Sequence, residues 1–126
     1  MMNAVLLQLI SGLANKEPAL DVALKSFTEK NQIFLPEEYI QFLRLKNGGE
    51  GFVGQNAYVM FWGLDELAEM NNAYNVKEYV PGLYLFGSDG GGEAYAFDTR
   101  SEMAIVKVPF VGMDISLIEN IATTFI

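Results

Sequence analysis

The sequence FGSDGGGEAYAFD, residues 86–98, decides the fold, because a cluster of glycines here separates two short apolar runs. Consecutive glycines indicate backbone that adopts positive φ or approaches another group closely, as in tight turns and in loops whose amides hold a ligand. The flanking runs, residues 83–86 and 93–97, have the composition of strands. The sequence therefore predicts an antiparallel hairpin with an unusual turn or a bulge.

The segments that follow and precede this hairpin extend the predicted sheet. A turn at residues 98–101 leads to a third strand at 103–108, which Pro109 ends because proline has no N–H to donate to a ladder. Residues 57–62 form an earlier apolar and aromatic run of strand length. The connections between the later strands are too short for parallel crossovers, so we expect an antiparallel meander.

Helical patterns occupy most of the first half of the chain and its last residues. Apolar stripes predict helices at residues 3–13 and 20–30. A further helix begins around Pro36 and ends at Asn47-Gly48-Gly49, and shorter helices are expected at 64–71 and 114–126, the last with Asp114 as N-cap. We therefore expect an α+β fold, in which N-terminal helices pack on a mainly antiparallel sheet and a C-terminal helix follows.

Composition limits the class of protein. The chain has 126 residues and is 51% hydrophobic, which suits one domain covering residues 1–126. No apolar run reaches the length of a membrane span, and no basic residue precedes the apolar N-terminal segment, so we expect a cytoplasmic protein without membrane contact. The sequence has no cysteine and no histidine, which excludes thiolate nucleophiles, Ser-His-Asp triads and zinc sites of the usual kind.

The negative charge is confined to one part of the chain. Residues 1–46 contain five acidic and five basic residues, whereas the rest contains eleven acidic and three basic residues and carries the whole net charge of −8. Such a field repels phosphates and attracts basic proteins. We therefore expect a basic protein partner and no binding of nucleic acid.

Three interpretations of the glycine cluster can be weighed. Phosphate binding is disfavoured, because the cluster lacks the lysine and the following helix of phosphate-binding loops and carries Asp89 and Glu93. Asp89 and Glu93 together with Glu50 could bind calcium, or two carboxylates could act as acid and base. The favoured interpretation is that these acids are structural or face a partner, with Asp89 bonding to its own loop.

The order and spacing of many small motifs over residues 35–125 resemble the SUKH superfamily, the group of Smi/Knr-type, cell-wall-regulator-like immunity proteins. The motifs are Leu35-Pro36-Glu37-Glu38-Tyr39, Asn47-Gly48-Gly49-Glu50-Gly51, Trp62, Leu67, Asn72, Pro81-Gly82, residues 86–93, Phe97-Asp98 and Val108-Pro109-Phe110. The superfamily includes fungal regulators of cell-wall synthesis and bacterial immunity proteins that neutralise toxins of polymorphic and contact-dependent systems. Many of those toxins are nucleases, which are commonly basic.

The resemblance implies a binding protein without catalytic, cofactor-binding or metal-binding residues. Its expected partner is a cognate toxin or another basic protein, and the alternative is a regulatory or scaffolding interaction domain like the fungal members. A carboxylate-based or calcium-dependent enzyme remains as a third hypothesis. The candidate partner-contacting residues are Glu50, Asp89, Glu93 and Asp98. Strand aromatics are expected mostly in the core, with some tyrosines exposed at the rim of the binding surface.

Overall fold

The computed structural model describes residues 19–53 and 57–122. Within them, no helix is long and apolar enough to cross a membrane. The contacts divide the chain into two compact units, the first ending at Leu64 and the second beginning at Asp65. In chain order the elements are α1 Asp21–Asn31, α2 Glu37–Leu45, β1 Gly49–Val53, β2 Ala57–Phe61, α3 Leu64–Ala73, α4 Val76–Tyr79, β3 Leu83–Ser88, β4 Glu93–Asp98, β5 Ala104–Pro109, a 3₁₀ turn Ile115–Leu117, and β6 Glu119–Ala122.

Helices α1 and α2 belong to the first unit and lie close to their predicted bounds. Helix α2 follows Pro36, has Glu37 and Glu38 in its first turn and Arg44 in its last, an arrangement that complements the helix dipole. It buries the side chains of Tyr39, Phe42 and Leu43. The helix predicted for residues 3–13 lies outside the described residues.

Strands β1 and β2 form an antiparallel hairpin in which Glu50 lies opposite Met60 and Phe52 opposite Tyr58. Strand β1 was not predicted, because the glycines around Glu50 indicate a turn when the partner strand is unknown. Gly48, at φ +95°, precedes it, and a Cβ there would lie 2.8 Å from the carbonyl oxygen of Phe61. Only glycine fits this close approach of two backbone segments.

The second unit contains an antiparallel meander of β3, β4, β5 and β6. The hairpin predicted around the glycine cluster is confirmed, and the register between β3 and β4 shifts between Leu85 and Gly87, as at a bulge. Helix α3 is tied to β3 by Asn71, which is buried. The Asn71 side chain donates to the carbonyl of Leu85 at 3.0 Å and accepts from its amide at 2.8 Å.

The expected C-terminal helix, residues 114–126, is wrong for the residues that the structure describes. Asp114 does act as an N-cap, since its side chain accepts from the amide of Ser116 at 2.8 Å, but only a 3₁₀ turn follows. Strand β6 then pairs with β5, with Lys107 opposite Glu119. Ile118 and Ile121 suit extended backbone, and the pairing of β6 with β5 outweighs their helical spacing. The α+β class and the mainly antiparallel pairing are confirmed.

Candidate functional site

The glycine loop, residues 88–93, wraps its backbone amides around one carboxylate of the same chain. One oxygen of Asp89, Oδ1, accepts from the amides of Gly91, Gly92 and Glu93 at 2.8, 3.2 and 3.2 Å. The amide of Gly90 donates to the hydroxyl of Ser88 at 3.0 Å. Amides that converge in this way form an anion site. Asp89 fills the site itself, so the loop is a closed hairpin turn.

Lys107 balances the two acids of this loop from the neighbouring strand β5. Its Nζ lies 3.6 Å from an oxygen of Asp89 and 3.4 Å from one of Glu93. Nζ also lies 5.7 Å from the ring centroid of Tyr95, which is directly opposite Lys107 in the ladder. Lys107 is therefore the countercharge of both Asp89 and Glu93.

The pKa values of this cluster reflect the same contacts. Partial burial raises the pKa of Asp89, but the three amide bonds and the charge of Lys107 outweigh it, so the pKa lies below its ordinary value of 3.8. Burial also lowers the pKa of Lys107, yet Tyr95, Glu93 and Asp89 together shift it above 10.5. Asp89 and Lys107 are therefore both charged at neutral pH.

Asp98 stands at the other end of β4 and serves the next turn. Its two oxygens accept from Nε and Nη2 of Arg100 at 3.0 Å each, and Oδ1 also accepts from the Arg100 amide at 3.0 Å. The hydrogen bond from the Arg100 side chain is the main reason that the Asp98 pKa lies below its ordinary value, although burial opposes it. With only 7% of its side chain exposed, Asp98 has little surface for a partner and instead positions Arg100, which is half exposed.

Glu50, in the first unit, is exposed and lies on the outer face of the β1–β2 hairpin. Its Oε2 accepts from the hydroxyl of Tyr58 at 2.6 Å, a diagonal contact across the two strands. This hydrogen bond, followed by desolvation and the charge of Glu50, raises the pKa of Tyr58 above 10.0. Val59 and Phe61, which point to the opposite face, are buried.

Two apolar side chains share this outer face with Glu50 and Tyr58. Phe52 is 58% exposed and Met60 36% exposed. The rings of Phe52 and Tyr58 meet edge to face, with centroids 5.3 Å apart and an angle of 80°. We call Glu50, Phe52, Tyr58 and Met60 the hairpin patch. Phe52 and Met60 were not predicted as residues of an exposed face, because the alternation that places them there is visible only when β1 is recognised as a strand.

A groove of about 390 Å³ lies in the second unit. The Tyr74 and Phe110 rings pack at its wall, with centroids 4.7 Å apart. None of the lining residues is acidic or basic; they are Ala73, Tyr74, Asn75, Tyr79, Phe110, Gly112 and Met113. The groove therefore supplies no carboxylate pair for acid–base chemistry.

The sequence comparison with protein families agrees with this architecture. A model of the SMI1 / KNR4 family (SUKH-1) matches residues 18–126. The chain belongs to this family. No curated protein matches the chain. The SUKH resemblance carried by the small motifs is thereby confirmed.

The three candidate contact residues in the second unit of this SUKH-1 chain do not form one cluster. Asp89 and Glu93 share Lys107, whereas Asp98 lies at the far end of β4 and Glu50 belongs to the first unit. Within residues 19–53 and 57–122, no group of three acids is arranged to hold a metal ion. The three candidate acids of the second unit are thus paired with lysine or arginine, and Glu50 is paired with a tyrosine.

Proposed function

We propose that this SUKH-1 chain is a non-enzymatic, cytoplasmic protein-binding domain of the immunity type, which neutralises a basic toxin of a polymorphic or contact-dependent system. A nuclease is the toxin class that best fits, because a nuclease must itself attract phosphate and is therefore basic at its active site. An acidic protein that covers such a face would block access of the nucleic-acid substrate to the active site.

The observation that carries this proposal is the surface charge of the second unit. Residues 65–122 contain ten acidic and three basic residues, and Arg100 and Lys107 are each held by acids. Seven of the ten acids are exposed, namely Asp65, Glu66, Glu69, Glu78, Glu102, Asp114 and Glu119. A surface of this sign speeds encounter with a basic protein and discourages nucleic acid and anionic membranes.

The contacts of the acids favour binding over catalysis. A general acid needs a raised pKa near the working pH, whereas the pKa values of Asp89 and Asp98 are lowered. Glu93 lies against the ammonium group of Lys107, which takes the position that a calcium ion between the two loop acids would need. We therefore expect millimolar calcium to leave the melting temperature unchanged and Glu93→Gln to fold. A calcium-dependent rise of several degrees that Glu93→Gln abolishes would support the enzyme or metal hypothesis instead.

The experiment is co-expression with the effector encoded by the neighbouring gene. The full chain is expected to restore growth to cells that make the effector and to bind it in calorimetry. The association rate should fall steeply as salt rises from 50 to 300 mM, because the encounter is electrostatically steered. If the chain protects cells but its association rate does not depend on salt, electrostatic steering by the acidic surface is wrong. Absence of both binding and protection would overturn the immunity function.

The family name supports a second candidate. The matching family model is named for SMI1 and KNR4. The resemblance to the SUKH superfamily also implies relatedness to fungal regulators of cell-wall synthesis. A regulatory or scaffolding domain would use the same acidic surface on a cellular partner. Capture experiments distinguish the two: a regulator retains a host protein from its own cell, whereas an immunity protein retains the neighbouring effector when it is supplied.

A further inference from the structure

The β1–β2 hairpin presents one face that the first unit leaves exposed. In most strands of a packed sheet the outer face is polar, with hydrophobic residues on the inner face. Here the outer face carries Phe52, Tyr58 and Met60 around a single carboxylate, Glu50. Aromatic residues and methionine are enriched at the centre of protein interfaces. The composition of this face is therefore typical of a binding surface.

The charge of the hairpin defines what the surface attracts. Strands β1 and β2 contain no lysine or arginine, and Glu50 is the acid that they carry. Unlike Asp89 and Asp98, Glu50 is combined with a neutral hydroxyl, so its charge is not balanced by that contact. A carboxylate can accept about four hydrogen bonds, and Tyr58 supplies one. The remaining capacity suits a cationic donor.

We infer that the hairpin patch is the docking surface for an arginine side chain of the basic protein partner. Arginine fits both components of the patch, because a guanidinium donates to a carboxylate through a planar fork and stacks on aromatic rings. An edge-to-face contact covers one face of only one of the two rings, and Phe52 is 58% exposed, so a ring face is accessible for such stacking. The apolar stem of the arginine would cover Met60.

The hydroxyl of Tyr58 has a positioning role in this arrangement. By donating to Oε2 at 2.6 Å, it holds the Glu50 carboxylate beside the two rings before the partner arrives. Pre-ordering reduces the conformational entropy that binding would otherwise cost. A second copy of this chain is a poorer occupant, because a two-fold contact through the patch would bring two Glu50 carboxylates together.

The inference deepens the proposed function by naming one of its contact surfaces, and its test does not depend on knowing the partner. Isotope-labelled full chain is titrated with a terminally blocked Gly-Arg-Gly peptide, followed by amide NMR. We expect shift changes at residues 50–52 and 58–60, with smaller changes for the lysine peptide and none for the citrulline peptide. Glu50→Gln should abolish the changes, and the matched control Glu29→Gln, on the exposed side of α1, should retain them. Absence of shifts in the hairpin would overturn the inference.

The second arm uses the protein partner once the neighbouring effector is in hand. Phe52→Ala is expected to weaken the complex about tenfold or more. Phe34→Ala is the control, since Phe34 belongs to the same unit and is 83% exposed but lies outside the patch. If the effector binds and Phe52→Ala and Glu50→Gln bind as tightly as wild type, the patch is wrong while the immunity function stands.

The two hypotheses therefore fail separately. If no effector binds but the arginine peptide shifts the hairpin, the patch stands and the immunity function fails. A dimer that forms at high concentration and is lost in Phe52→Ala would assign the patch to self-association and overturn the arginine proposal.

Discussion

The two ends of β4 and the β1–β2 hairpin use their acids in different ways, although all of these acids lie near glycines or turns. At β4, Asp89 holds three amides and a lysine, and Asp98 holds an arginine. In the hairpin, Glu50 holds a tyrosine hydroxyl and is exposed. Proximity to a glycine cluster therefore does not by itself mark an acid as a binding residue. We expect the charge of its neighbours to decide whether an acid stabilises the fold or is available to a partner.

Removing Asp98 is expected to have the largest effect on stability. Asp98→Ala leaves the Arg100 side chain and amide without a carboxylate at a nearly buried position, so we expect a loss of about 3 kcal/mol in the free energy of unfolding. Urea unfolding at pH 7 measures it. Asp98→Asn, which can still accept the amide, should lose less. If both variants unfold like wild type, the role assigned to this turn is wrong.

Asp89 should have the next largest effect. Asp89→Ala removes the acceptor of three loop amides, for an expected loss of about 2 kcal/mol. Asp89→Asn keeps an acceptor oxygen. In the same urea experiment its free energy of unfolding should lie between those of Asp89→Ala and wild type. Glu119→Gln, an exposed acid of β6, is the matched control and should unfold like wild type. If Asp89→Ala and Glu119→Gln change the free energy of unfolding equally, the stabilising role assigned to Asp89 is wrong.

Acid should reveal the same distinction. The folded-state pKa values of Asp89 and Asp98 lie below the ordinary value of 3.8. Their stabilisation is therefore fully present above that value and is lost as the pH falls through the lowered folded-state values. The difference in urea midpoint between wild type and Asp98→Asn should shrink between pH 5 and pH 2. A difference that grows on acidification would contradict this sign.

Glu50→Gln should leave the urea midpoint nearly unchanged but change the pKa of Tyr58. The carboxylate raises the pKa of Tyr58, chiefly through the hydrogen bond, so the substitution should lower that pKa towards 10.0. NMR of ring-labelled tyrosine measures the titration, and Tyr84, whose pKa burial raises to about 12, is the internal reference. An unchanged Tyr58 titration would show that the hydrogen bond is absent in solution.

Local signals account for what could be predicted. The hairpin at residues 83–98 follows from glycines between two short apolar runs, and α2 follows from Pro36 with two acids after it. Strands β1 and β6 were not predicted, because each is stabilised by pairing with a neighbouring strand. The glycine-rich segment of β1 and the isoleucine-containing segment of β6 do not indicate a strand by their own sequence. Longer-range pairing decided both.

The same limit applies to the candidate site. Four acids were named from sequence, but their roles depend on residues that the fold brings close. Lys107 reaches Glu93 because the β4–β5 register places Tyr95 opposite Lys107. Phe52 joins Tyr58 because β1 and β2 pair. Charge and composition therefore predict the class of partner. The strand register is needed to distinguish the acids that are paired with lysine or arginine from Glu50, which is paired with a tyrosine.

The proposed roles of Glu50 in binding and of Asp89 in stability can be separated in one experiment. The most direct measurement follows wild type, Glu50→Gln and Asp89→Asn side by side, with urea unfolding and NMR titration of the blocked Gly-Arg-Gly peptide on the same samples. We expect Glu50→Gln to lose the peptide-induced shifts at an unchanged urea midpoint, and Asp89→Asn to keep the shifts at a lowered midpoint. The reverse pattern, or loss of both properties in both variants, would contradict these roles.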